Sequence, residues 1–141
     1  MGRIVSIDFG RKRTGLAVTD PLQLFATALC TVSTHELEKY LVEYVKKEII
    51  ETFVIENPKT LKNEDSESKK YLLPFLSRLK KTFPNIPVCL IDERFTSSIA
   101  HQLVLDSGLS KKKRQNKEII DTISATIILQ SYLEQKSNNL I

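Results

Sequence analysis

The chain has 141 residues, with 21 Lys and Arg against 17 Asp and Glu and a net charge of +4. This length supports one hydrophobic core and is too short for two ordinary domains. A composition of 41% hydrophobic and 27% charged residues excludes a disordered or fibrous chain, and no apolar run approaches the about 20 residues that span a bilayer. We predict one domain over residues 1–136, a flexible tail over 137–141, and a cytoplasmic location without membrane contact.

The first half of the chain predicts an antiparallel meander followed by a helix and a strand. Residues 3–9, 14–19 and 25–32 are short segments rich in β-branched residues, and a basic, glycine-flanked turn separates the first two. Ser33 followed by Glu36 is a capping-box signal, and apolar residues then recur at helical spacing over about 34–49. A strand at 52–56 ends at Asn57-Pro58.

The second half predicts alternating helices and one strand. A helix begins near Ser66 and contains Pro74, which should kink it. The continuous apolar run 87–91 is typical of a central parallel strand covered on both faces. Helices at about 97–106 and 117–135 follow. The whole order predicts an α/β fold in which a five-stranded mixed sheet, an antiparallel meander plus two parallel strands, has helices on both faces.

Three acidic residues stand where a lone carboxylate is costly. Asp8 ends the first strand, Glu93 comes shortly after the apolar run 87–91, and Asp121 lies in a helix that is apolar on nearly every side. Each also has a structural alternative. Asp8 could cap the turn at Gly10, Glu93 could cap a helix or pair with Arg94, and Asp121 could be a hydrogen-bonded core residue.

Taken together, the three carboxylates form the oxygen-rich ligand set that hard divalent cations prefer. Two such ions in one site can support phosphodiester hydrolysis. Strand periodicity places Asp92 and Glu93 on opposite faces, and we assign Asp92 a structural role. The residues therefore predict Mg²⁺ or Mn²⁺ held by Asp8, Glu93 and Asp121.

Histidine and cysteine predict no additional metal site. His35 and His101 both fall in helical patterns, which argues against a His-rich zinc site. Cys30 and Cys89 are far apart and lie in apolar runs, so we expect reduced, buried thiols.

Basic residues are clustered at two places in the chain, the first turn and the segment before the last helix. The clusters are Arg11, Lys12 and Arg13, and Lys111, Lys112, Lys113, Arg114 and Lys117. Clustering of this kind favours a polyanionic partner such as nucleic acid. A solvated loop has the same composition, so the clusters alone do not distinguish a nucleic-acid-binding surface from a solvated loop.

Three motifs, in this order and spacing, resemble those of the YqgF (RuvX) family. They are Asp8-Phe-Gly-Arg-Lys-Arg-Thr-Gly-Leu-Ala-Val-Thr-Asp20, Asp92-Glu-Arg-Phe-Thr96, and Lys117-Glu-Ile-Ile-Asp121 followed by Ala125 and Ile128-Leu-Gln130. Any one motif is weak, but the three in sequence are specific, and the resemblance covers essentially the whole chain.

The resemblance implies an RNase H-like fold related to the Holliday-junction resolvase RuvC. It implies that Asp8, Glu93 and Asp121 form the acidic triad of a metal-dependent nuclease. The basic residues that it places nearby are Arg13, Arg94 and Lys117. The two activities proposed for the family are maturation of the 5′ end of small-subunit ribosomal RNA and resolution of Holliday junctions. The expected partner is therefore structured RNA, in a ribosome precursor, or branched DNA.

One position departs from the family pattern. The family usually has a glycine before the proline that follows the fourth strand, in a Gly-x-Pro pattern, and this chain has Glu56 there. Glu56 adds a fourth carboxylate near the expected site. It could be an extra ligand, a cap for the following polar loop, or a sign of altered substrate fit.

Two further hypotheses come from other functional classes. One is a non-catalytic nucleic-acid or ribosome-binding module that keeps the fold and the basic surface. The other is a phosphate-binding domain of the actin and sugar-kinase type, because Asp8-x-Gly10 followed by Thr14-Gly15 resembles the first phosphate loop of those proteins. A junction resolvase should be a homodimer, since it cuts two strands symmetrically, whereas a monomer favours the RNA substrate.

Overall fold

A five-stranded mixed sheet forms the centre of the fold in the computed structural model, which describes residues 2–57, 67–92 and 117–137. The strands are β1 (Arg3–Asp8), β2 (Arg13–Thr19), β3 (Ala26–Ser33), β4 (Ile50–Asn57) and β5 (Val88–Asp92). Their order across the sheet is β3-β2-β1-β4-β5. The β1–β2 and β2–β3 pairs are antiparallel, and the β1–β4 and β4–β5 pairs are parallel. The predicted combination of a meander with two parallel strands is confirmed.

Helices cover both faces of this sheet. A short 3-10 helix (Thr34–Glu36) leads into α1 (Leu37–Lys47), and α2 (Glu67–Thr82) and α3 (Lys117–Ser137) follow. Because neighbouring strand residues point to opposite faces, Val5 and Ile7 pack with α1 and α2, whereas Ile4 packs with α3. The predicted helix at 97–106 and the basic loop before α3 lie outside the described residues. Of the tail predicted over 137–141, Ser137 is the last residue of α3, and the other residues lie outside the described ranges.

The helical boundaries differ slightly from the predicted ones. The helix expected over 34–49 begins as a 3-10 turn and ends at Lys47, because β4 already begins at Ile50. The helix with Pro74 is present as α2. Of the apolar residues predicted for its inner face, Leu72, Phe75, Leu76 and Leu79 are buried, whereas Phe83 follows the helix and is only partly buried. Although α3 has 21 residues, neither it nor another helix in the described ranges is apolar enough over its length to cross a membrane.

The predicted capping box at Ser33 is wrong. Ser33 has extended backbone angles and its side chain makes no capping hydrogen bond. Thr34 anchors the helix start instead, since its N–H donates to the carbonyl of Lys12 at 3.0 Å and its hydroxyl donates to the carbonyl of Gly10 at 2.6 Å. The beginning of the helical segment is therefore bonded to the turn between β1 and β2.

The expectation of a fully covered central strand at residues 87–91 is also wrong. β5 pairs with β4 and lies at the edge of the sheet. Ile91 is buried, but Leu90 on the other face is 47% exposed. An apolar run is compatible with an edge strand that buries only one face.

The α3 helix runs antiparallel to β1, and three contacts along its length show the direction. Near its start, the hydroxyls of Thr122 and of Thr31 on β3 are 2.6 Å apart. In its middle, the Ser6 hydroxyl donates to the carbonyl of Ala125 at 2.5 Å. At its end, the Lys136 ammonium donates to the Gln23 side chain at 3.1 Å. The N-terminal part of α3 therefore lies toward the carboxyl end of β1.

The two cysteines are free thiols, as predicted, but neither is fully buried. Cys30 lies on β3 and Cys89 on β5. Partial burial raises the pKa of the Cys89 thiol above its ordinary value, which disfavours the thiolate.

Asp20 organises the loop between β2 and β3 at the opposite end of the sheet from Asp8. Its carboxylate accepts backbone hydrogen bonds from Leu22 at 3.1 Å and from Leu24 and Phe25 at 2.8 Å. Between them Gln23 adopts a left-handed conformation with φ of 60°. The resulting loop exposes three large apolar side chains, and the bond from the Phe25 N–H has the largest effect in lowering the pKa of Asp20.

Asp20→Asn tests this loop through its pH dependence. The pKa of Asp20 in the native state lies below its ordinary value of 3.8, so the ionised carboxylate stabilises the native state above that pH. This stabilisation is lost as the pH falls through the lowered native pKa. We expect the difference in Tm between the parent chain and Asp20→Asn to shrink below about pH 4. Thermal unfolding from about pH 7 to about pH 2 measures it, and a constant difference would contradict the assignment.

Candidate functional site

The carboxyl ends of the three parallel strands meet at one edge of the sheet. β1 ends at Asp8, β4 at Asn57 and β5 at Asp92, and the last two residues are paired in the ladder. In open α/β sheets, ligands bind outside the carboxyl ends of the strands. This edge is therefore the candidate site.

Asp8 and Glu56 are neighbours at this edge. The parallel ladder pairs Ile7 with Ile55, so the next residue on each strand is Asp8 on β1 and Glu56 on β4. Adjacent strands lie about 4.8 Å apart, and both residues are half-buried. Ser6 on β1 and Val54 on β4 both contact α3. Asp8 and Glu56 each lie two residues further along the same strands, so strand alternation places them on the same face of the sheet.

The contact between Ser6 and Ala125 sets the level of α3 along β1. Asp121 precedes Ala125 by four residues, a rise of about 6 Å toward the start of the helix. Asp8 lies two residues after Ser6, an advance of about 6.6 Å along the strand in the same direction. The backbone of Asp121 is therefore at the same level of the sheet as Asp8, and the helix backbone is close enough to β1 for a direct hydrogen bond.

The remaining predicted site residues are only partly within the described structure. Glu93, Arg94, Lys112, Lys113 and Arg114 lie outside the described residues, and Lys117 is the first residue of α3. Within the described ranges, no group of three His, Cys, Asp or Glu side chains is arranged to hold a metal ion. The meeting of the predicted acidic triad thus stays a prediction.

The basic turn, residues Gly10–Arg13, lies beside Asp8 between β1 and β2. Arg11 and Lys12 are exposed, and Arg13 is half-buried. Thr34 fixes this turn through its bonds to Gly10 and Lys12. These hydrogen bonds hold the turn at the carboxyl end of β1, with Arg11 and Lys12 exposed.

Gly10 has a steric role in this turn. A Cβ added at Gly10 would overlap the backbone carbonyl oxygen of Arg13. Since that oxygen belongs to the backbone, a side chain at position 10 could be accommodated only by moving the turn. The glycine is needed for the close approach of the two ends of the basic turn.

Two aromatic contacts extend from the carboxyl end of β1 onto α2. Phe9, directly after Asp8, stacks on Phe75 with ring centroids 4.8 Å apart. One helical turn earlier, the Arg11 guanidinium lies 5.1 Å from the centroid of the Tyr71 ring. Sequence reasoning missed Tyr71. The spacing of residues 71 and 75 places them on one helical face, but no sequence signal links Tyr71 to Arg11.

A family model described as "RuvX: Holliday junction resolvase" matches residues 2–135 of the chain. The chain belongs to the RuvX family. This match confirms the resemblance carried by the three sequence motifs.

Curated relatives of this RuvX-family chain are similar over almost their whole length. A protein of Phocaeicola vulgatus is 54% identical over 136 residues, which cover 96% of this chain and 98% of the relative. A protein of Bacteroides thetaiotaomicron is 57% identical, with 96% and 99% covered. One of Parabacteroides distasonis is 52% identical, with 99% and 100% covered. Each is named "Putative pre-16S rRNA nuclease".

Solved structures of RuvC have the same fold. Thermus thermophilus RuvC in complex with a Holliday junction substrate has a TM-score of 0.59 and 15% identity, covering 96% of this chain and 97% of RuvC. A second Thermus thermophilus RuvC structure has a TM-score of 0.52 and 13% identity, with 96% of each chain covered. At these identities the similarity shows the fold alone, and the predicted RNase H-like fold is confirmed.

Gly10→Ala tests the steric role of the basic turn. Because the added methyl group overlaps backbone, we expect the free energy of unfolding to fall by about 1–3 kcal/mol, as for overpacked sites. Arg11→Ala is the matched control, since it shortens an exposed side chain of the same turn and leaves the backbone path unchanged. Urea unfolding measures both variants, and equal stability of the two would contradict the overlap.

Proposed function

We propose that this RuvX-family chain is a divalent-metal-dependent nuclease that hydrolyses phosphodiester bonds during maturation of the 5′ end of pre-16S rRNA. Relatives that are 52–57% identical over nearly the full length carry the name of that activity. The observation that carries the proposal is the adjacency of Asp8 and Glu56 at the carboxyl edge of the sheet, with the backbone of Asp121 at the same level.

The proposed metal ligands are Asp8, Glu93 and Asp121. For Glu93 the support is strand parity, because Cys89 and Ile91 belong to the core beneath α3 and Glu93 is the next residue of that parity. Asp92 has the opposite parity, which favours a structural role for it. If the alternation of β5 continues beyond Asp92, Glu93 is expected on the α3 side of the sheet, the side to which the position of Asp8 belongs.

The donor chemistry of this edge fits Mg²⁺ or Mn²⁺. Both ions prefer carboxylate oxygens and keep several waters, and the described acids at the edge, Asp8 and Glu56, are carboxylates. A bound divalent cation would lower the pKa of water and offset the negative charge that develops on a phosphodiester. The acidic side chains would hold the cation and set its position beside the basic turn.

Basic side chains around the edge are proposed to bind the substrate backbone. Arg11, Lys12 and Arg13 lie in the turn directly after Asp8, and their charges would neutralise phosphates. The cluster Lys112, Lys113 and Arg114, together with Arg94 and Lys117, is assigned the same role. Contacts to phosphates carry no sequence information, so selection would depend on the shape of the nucleic acid.

A second candidate is resolution of Holliday junctions. The description of the family favours it, as does the similarity in fold to RuvC bound to a junction. Cutting a junction symmetrically requires two sites related by a two-fold axis. A panel of structured RNAs and four-way junctions, together with the oligomeric state in solution, separates the two substrates. Salt-sensitive binding without metal-dependent cleavage would instead favour a non-catalytic ribosome-binding module.

Asp8→Asn tests the hydrolytic proposal. The amide keeps the shape of the side chain and removes the charge that would hold the cation, so we expect cleavage in Mn²⁺ to fall by at least about a hundredfold while RNA binding persists. Asp20→Asn is the matched control, because it makes the same substitution at the opposite end of the sheet. Metal-dependent cleavage by Asp8→Asn at the parental rate would refute the assignment.

Glu56→Gln decides among the three roles left open for Glu56. If Glu56 is an extra ligand, we expect the metal concentration for half-maximal cleavage to rise by about tenfold. Glu51→Gln provides the comparison at the other end of the same strand, where Glu51 accepts a hydrogen bond from Gln23. An unchanged metal requirement with reduced thermal stability would show that Glu56 is a cap. A changed preference among RNA substrates would indicate a role in substrate fit.

A further inference from the structure

Beyond the carboxylates, the candidate edge carries an aromatic column on its other side. Phe9, the residue after the end of β1, packs against the core on the α2 side of the sheet, whereas the position of Asp8 belongs to the α3 side. Phe9 stacks on the buried Phe75, which fixes α2 beside the end of β1. Tyr71 lies one helical turn before Phe75 on the same face of α2. The column therefore leads from the residue next to Asp8 to a ring near the surface.

Tyr71 and Arg11 form the exposed end of this column. Tyr71 is 42% exposed, and the Arg11 guanidinium lies over its ring. A contact between a cation and an aromatic ring is weak on an exposed surface, so neither group is strongly committed to the other. Aromatic rings and guanidinium planes are the two kinds of flat group on which proteins stack unpaired bases.

The charge around this pair is complementary to a nucleic-acid strand. Lys12 is exposed next to Arg11, and Arg13 follows in the same turn. A flat aromatic ring beside a positive backbone-binding surface is the usual arrangement in proteins that bind single strands. A duplex cannot stack on such a ring along its length, because the faces of its bases are already covered by the neighbouring base pairs.

We propose that Arg11 and Tyr71 form a stacking platform for an unpaired nucleotide of the RNA substrate. This inference rests on the proposed nuclease function. It requires the part of the substrate beside the carboxylates to be single-stranded. The platform is on the α2 side of the edge and Asp8 is on the α3 side. An RNA strand that crosses the carboxyl end of β1 would contact both.

A fluorescence experiment tests the stacking directly. The chain contains no tryptophan, so Tyr71→Trp places a single reporter on the platform, in an Asp8→Asn background that prevents cleavage. We expect a single-stranded RNA oligonucleotide to quench this tryptophan saturably, and a blunt-ended RNA duplex of the same composition to leave it largely unquenched. Phe25→Trp in the same background is the control, because Phe25 is 71% exposed on the loop at the opposite end of the sheet.

Affinity measurements separate the aromatic ring from the general surface. We expect Tyr71→Leu to weaken binding of the single-stranded RNA by about tenfold. Tyr71→Phe keeps the ring and should bind like the parent chain. Because the Tyr71 side chain is partly exposed, both variants are expected to fold, and thermal unfolding checks this.

The outcomes distinguish the platform from the nuclease proposal. If the parent cleaves RNA but Tyr71→Trp is not quenched and Tyr71→Leu binds normally, the platform is refuted and the nuclease function stands. Quenching by single strands without any metal-dependent cleavage by the parent would support the platform and refute the hydrolytic proposal. Equal quenching by the duplex would refute the preference for unpaired nucleotides. If the parent binds no RNA, both proposals fail.

Discussion

The hydrogen bond from the Ser6 hydroxyl to the carbonyl of Ala125 fixes the geometry on which the candidate site depends. Both residues are fully buried, and a buried hydroxyl is costly unless it is paired. Ser6 is small and Ala125 carries only a methyl group, so the helix backbone can reach the strand. Together with the apolar packing of Ile4 and Val54 against α3, the bond sets the position of α3 along β1. Since Asp121 is one turn before Ala125 and Asp8 is two residues after Ser6, the same contact places the backbone of Asp121 at the level of the sheet where β1 reaches Asp8.

Thr34 fixes the other side of the edge through bonds that are distant in sequence. Its hydroxyl and its N–H contact the carbonyls of Gly10 and Lys12, and the Thr14 hydroxyl lies 3.0 Å from its own. The basic turn is therefore attached to the start of the helical segment. A turn that is held in this way loses little conformational entropy when it binds a ligand. The cations beside Asp8 are thus positioned by the fold.

Local sequence patterns predict the helices and strands well, but they predict less well which elements lie next to each other. Alternation and helical spacing predict all five strands and the three described helices, because each pattern depends on residues close in sequence. Asp8 at a strand end and Asp121 near a helix start follow from the same patterns. The edge position of β5 does not follow from its sequence, because an apolar run does not show that the face of the strand with Leu90 is exposed to solvent. Ser33 failed as a cap because the long-range bonds of Thr34 replaced the local one.

The end of β1 contributes a side chain to each face of the sheet, because consecutive residues of an extended chain point to opposite sides. Asp8 belongs to the face that α3 covers, and Phe9 belongs to the face that α2 covers. One strand end can therefore support acidic chemistry on one side and aromatic packing on the other, without either group competing for space. Immediately afterwards the chain must turn, and Gly10 permits a turn tight enough to keep Arg11 close to Tyr71. Three consecutive residues, Asp8, Phe9 and Gly10, thus connect the carboxylate edge, the aromatic column and the basic turn, which explains why the separate features of the surface meet at this point.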